Sequence, residues 1–66
     1  MIRYHFKVSH PFGEFIGIVE TERASSVAAE AIARHEWGTR AAYKQLTAAE
    51  LRDAEQSNFT ILTVKG

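Results

Sequence analysis

Residues 2–22, IRYHFKVSHPFGEFIGIVETE, carry the plainest structural signal in the chain. From residue 2 to residue 9 the side chains alternate, with Ile2, Tyr4, Phe6 and Val8 on one side and Arg3, His5, Lys7 and Ser9 on the other. A period of two belongs to a half-buried strand, whose successive Cβ atoms point to opposite faces. His10, Pro11, Phe12 and Gly13 then mark a turn, because proline fixes φ and glycine supplies a position free of Cβ. Residues 14–22 read as a returning strand, so the segment predicts a β-hairpin. The second strand is apolar on both sides: Phe15, Gly17 and Val19 face one way, Ile16 and Ile18 the other. One register sets Val8 opposite Phe15, Phe6 over Gly17 and Arg3 beside Glu20. A slip of one residue moves Ile16 and Ile18 onto the face of Tyr4 and Phe6.

Beyond the hairpin, Ser25 is an N-cap candidate for an Ala-rich helix running to His35 or Glu36, with Gly38 placed to stop it. Val27, Ala28, Ala31, Ile32 and His35 lie at helical spacing on one stripe, and their small size suits close approach to a sheet. Thr47 and Glu50 match a capping box, with Leu46 and Leu51 at the two staple positions, which predicts a short helix to about Glu55. Residues 58–65 are rich in β-formers and predict a closing strand, while residues 39–46 fit either a short strand or a helical continuation. The expected fold is α+β over residues 1–66: a small, mainly antiparallel sheet with helices on one face, in the order β-β-α-(β)-α-β. Helices on one face leave Ile16 and Ile18 uncovered on the other, so these two are the expected homodimer interface.

A chain of 66 residues has a marginal core, and with no cysteine it has neither a disulfide nor a thiolate zinc site to reinforce it. Any reinforcement is expected from another chain. Forty-five per cent apolar and 24% charged residues exclude intrinsic disorder and low complexity. Eight basic residues balance eight acidic ones, which disfavours a basic architectural DNA binder and favours self-association. The alternating N-terminus fits neither a signal peptide nor a membrane span, so a soluble, cytoplasmic protein with no membrane partner is expected.

Chemistry-bearing constellations are sparse. His5, His10 and His35 are not spaced as metal ligands, and no Gly-rich phosphate loop, nucleophile elbow or cofactor motif is present. No metal, cofactor or catalytic residue is assigned; a proton-transfer site would have to use His5 at a subunit interface. The residue types that stand out are Arg34, Trp37, Arg40, Tyr43 and Lys44, which gather the only tryptophan, a tyrosine and three cations within eleven residues. They are the expected partner-binding cluster, unless Trp37 and Tyr43 instead cap the small core. The leading expectation is a non-enzymatic binding module, homodimeric and contacting a protein partner. The alternative is a nucleic-acid-binding regulator using Arg3, Lys7, Arg34, Arg40 and Lys44.

Overall fold

The computed structural model describes residues 1–66. Strands β1 (Ile2–His10) and β2 (Gly13–Thr21) form the hairpin, followed by helix α1 (Ser26–Trp37), strand β3 (Ala42–Gln45), helix α2 (Ala48–Gln56) and strand β4 (Ile61–Lys65). The class and element order are those expected, and residues 42–45 are a strand. The four strands form one sheet in the order β3-β1-β2-β4, with β1 antiparallel to both neighbours and β4 parallel to β2. The hairpin register is Val8 to Phe15, Phe6 to Gly17 and Arg3 to Glu20. That register keeps Phe6, Val8 and Val19 on one face, where all three are buried.

Helix starts and stops follow the local chemistry. The Ser25 side chain accepts from the Ala28 amide, and Gly38, at φ 100°, ends α1 with its own amide bonded to the Arg34 carbonyl. At α2 the capping box is complete: Thr47 Oγ1 accepts from the Glu50 amide, and the Glu50 carboxylate accepts from the Thr47 amide.

Two differences from the sequence-based expectation have clear causes. The helices take one face each. Strands β2, β3 and β4 all run the same way, so α1 and α2 are both crossover helices, one leading from β2 out to β3, the other from β3 back across the sheet to β4. Crossovers of one hand that travel in opposite directions must lie on opposite faces, and the right-handed preference applies to both. Helix α1 packs on the Phe6 and Val8 face, where Ala29 and Ala33 complete the core. Helix α2 lies on the other face, where Ala54 and Phe59 share a groove with Lys7 and Ile16.

The second difference is the rotation of α1. Its buried stripe is Ala29, Ala33 and the half-buried Trp37, not the stripe that begins at Val27, and Val27 is 80% exposed. The Trp37 ring sets this rotation by lying against the bare backbone of Gly17 and edge-on to Phe15, with ring centroids 5.4 Å apart.

Candidate interaction site

The five residues of the expected partner-binding cluster do not form one surface. Trp37 belongs to the core, packed on Gly17 and Phe15. Tyr43 lies on the same face, and its hydroxyl donates to the Gly38 carbonyl, with the Ala33 carbonyl 3.3 Å away. Burial raises the Tyr43 phenol above its ordinary value, against the opposing pull of the Arg34 charge. Arg34 lies over the Tyr43 ring at 5.0 Å and pairs with Glu30 at 3.1 Å, one helical turn away. These three side chains therefore tie the end of α1 to β3. Lys44 extends from the opposite face of the sheet and pairs with Glu50 at 3.5 Å, and Arg40 stands exposed in the α1–β3 loop.

Ile16 and Ile18, the expected dimer interface, are both buried within the single chain because α2 covers their face. They have no surface left to offer a second copy. Of the five cations in the nucleic-acid reading, four are engaged with carboxylates: Arg3 with Glu20, Lys7 with Glu14, Arg34 with Glu30 and Lys44 with Glu50. His5 sits half-buried beside α2, where desolvation, then the charge of Arg3, lowers its pKa despite the opposing pull of Glu55. No three His, Asp or Glu side chains come together as a metal-binding group, and no helix is long and apolar enough to cross a membrane.

Apart from Met1 and Ile2 at the start of β1 and Val27 on α1, the exposed large apolar side chains lie on the β4 side of the molecule. Phe12, at the hairpin tip, is 95% exposed, and it is held rather than loose: its amide donates to His10 Nδ1 at 3.2 Å and its ring stacks on the imidazole. A groove of about 280 Å³ beside it is lined by His10, Phe12, Phe15, Thr60 and Leu62. At the other end of β4 a second groove, about 480 Å³, opens between α1 and the strand and is lined by Ala28, Ala31, Ile32, His35, Val64 and Gly66. Ile61 and Leu62 are 41% and 42% exposed on the strand itself.

The sequence reading named none of these as a site. Phe12 was legible, since an aromatic residue in a hairpin loop is at the surface by topology and has no core to join. Leu62 and Val64 were not, because only the strand order places them at an edge. Comparison with protein-family models, with curated proteins and with solved structures finds no match, so the site is defined by its geometry alone.

Proposed function

We propose that this domain is a non-enzymatic interaction module that binds other polypeptide chains, its own copies included, along the β4 side of the sheet. The observation that carries this reading is the coincidence of a free strand edge with exposed apolar side chains on and beside it, Phe12, Ile61 and Leu62. An open edge offers a row of unpaired backbone donors and acceptors, and proteins that do not use such an edge commonly blunt or cover it. In strand addition the main-chain hydrogen bonds give affinity, and apolar pockets beside the edge give specificity. The hairpin-tip aromatic is already fixed against His10, so less ordering entropy opposes its burial in an interface.

Ten of the 66 residues are buried, which leaves the isolated domain with a small core and gives association a second role in stability. The cations that a nucleic-acid surface would use are largely neutralised by neighbouring carboxylates, which favours a polypeptide partner over a polyanion. Sedimentation equilibrium of the wild-type chain at several concentrations tests the reading. Association that weakens in Phe12→Ser, with the circular dichroism spectrum unchanged, is the expected result. Association unaffected by Phe12→Ser and by Leu62→Ser would remove the β4 side from consideration.

A further inference from the structure

The backbone of β4 fixes how a second chain must meet it. The Ile16 amide donates to the Thr60 carbonyl and the Gly66 amide to the Glu20 carbonyl, so Thr60 and Gly66 both turn their backbone groups toward β2. Orientation alternates along a strand, hence Leu62 and Val64 also face β2, whereas Ile61, Thr63 and Lys65 direct both N–H and C=O outward. These three outward residues are symmetric about Thr63.

We infer that two copies of this chain join β4 to β4, antiparallel, with the two-fold axis at Thr63, making one continuous eight-stranded sheet. This rests on the reading of the domain as an interaction module and names the partner and register at its site. With Thr63 opposite Thr63 of the second copy, Ile61 falls opposite Lys65 and every outward N–H meets an outward C=O, six hydrogen bonds by the antiparallel pattern. No other centre on this strand pairs all three outward residues.

Side chains agree with this register. On the α1 face, Leu62 lies opposite Val64 of the second copy in a non-hydrogen-bonded pair, the geometry that brings side chains closest. On the other face two threonines meet at the axis, a favourable cross-strand pair, and each lysine lies beside an isoleucine it can cover with its methylene stem. The two grooves lie at opposite ends of β4, both on the α1 face. Antiparallel pairing therefore brings the Phe12 and Leu62 end of one copy against the Ile32, Val64 and Gly66 end of the other. The β3 edge is a poorer candidate: the Leu46 amide donates to the His5 carbonyl, so by alternation only Tyr43 and Gln45 face outward on that four-residue strand.

The chain has no cysteine, so a single introduced thiol reports on one position. Paired Thr63→Cys residues would sit at about the 5.5 Å Cα separation of a hydrogen-bonded pair, within the range a disulfide spans. Under mild oxidation Thr63→Cys should form covalent dimer on the order of a hundredfold faster than Lys44→Cys on the opposite edge, because the assembled interface holds its thiols at a high effective concentration. Thr63→Pro removes only an outward-facing donor, leaves the ladder to β2 intact, and should weaken association about thirtyfold through two lost hydrogen bonds per dimer. If Thr63→Pro is unfolded by circular dichroism, the cross-linking comparison decides alone. A wild-type dimer in which Thr63→Cys cross-links no faster than Lys44→Cys overturns this pairing while leaving the interaction module standing. A wild-type chain that sediments as a monomer at every concentration overturns both.

Discussion

Gly17→Ala should destabilise this domain, and the sign of the effect is its most informative feature. A Cβ at residue 17 would lie 2.5 Å from Cζ3 of Trp37, 2.8 Å from Cη2 and 3.1 Å from Cε3, well inside the roughly 3.5–4.0 Å optimum for carbon contacts. The indole has little room to retreat, since Trp37 is the last residue of α1 and its ring is held edge-on by Phe15 at an interplanar angle of 74°. Overpacking of this kind costs about 1–3 kcal/mol, with the short distances pointing to the upper half of that range. Replacing a mid-strand glycine by alanine returns about 0.5–1 kcal/mol through the smaller entropy loss on folding. The net expectation is a loss of about 1–2 kcal/mol, which in a domain of this size lowers the melting temperature by about 5–15 °C. Thermal and urea unfolding followed by the fluorescence of the single tryptophan measures it directly. A double-mutant cycle with Trp37→Leu should show the Gly17→Ala penalty shrinking once the ring is gone. A Gly17→Ala variant that is more stable than wild type, by the amount expected for removing a strand glycine, would refute the packing of Trp37 on Gly17.

Three further outcomes follow from individual contacts. Tyr43→Phe removes the hydroxyl that holds the α1 terminus and should cost about 1 kcal/mol in urea unfolding; an unchanged midpoint would mean that the bond to Gly38 contributes nothing. Thr47→Ala should cost about 1 kcal/mol by opening the capping box. The hydrogen bonds from Thr47 hold the Glu50 carboxyl below its usual range. A depressed carboxyl stabilises above its unfolded pKa and ceases to as pH falls through the folded one, so the loss caused by Glu50→Ala, which removes that carboxylate and keeps the Thr47 side chain, should fade on acidification through and below the ordinary glutamate range, and a loss constant with pH would contradict it. His5, with its folded pKa below the ordinary value near 6.5, likewise contributes stability that is present above that pH and lost as pH falls through the folded value. His5→Gln should flatten that slope, and an undiminished slope would place the titration elsewhere.

Much of the fold is legible in the sequence because its signals are local. Alternation from Ile2 to Ser9, the Pro11 and Gly13 turn, the Ser25 cap and the Thr47 box each act over a few residues, and each forms where the pattern places it. The hairpin register was narrowed to two alignments one residue apart, and the structure takes the one that pairs Val8 with Phe15 and Arg3 with Glu20. What was not readable depends on the direction of strands far apart in the chain. Whether Ile16 and Ile18 face water or a helix turns on α2 crossing back over the sheet, and no window of residues states that β4 runs parallel to β2. The rotation of α1 was hidden for a related reason. Alanines at 28, 29, 31 and 33 are nearly equivalent by size, and the choice among them is made by Trp37 finding the one strand position without a side chain. The same long-range facts conceal the candidate site, whose residues come from the hairpin tip, the outer stripe of α1 and the last strand.

Amide hydrogen exchange along β4, resolved by residue and repeated over a range of protein concentrations, reads the central claim most directly. Leu62 and Val64 donate inward to β2 and should be protected at every concentration. Ile61, Thr63 and Lys65 point outward and should gain protection as concentration rises, in step with dimer formation. Outward amides that exchange at unprotected rates even at high concentration, while Leu62 and Val64 remain slow, would show that no second chain binds this edge.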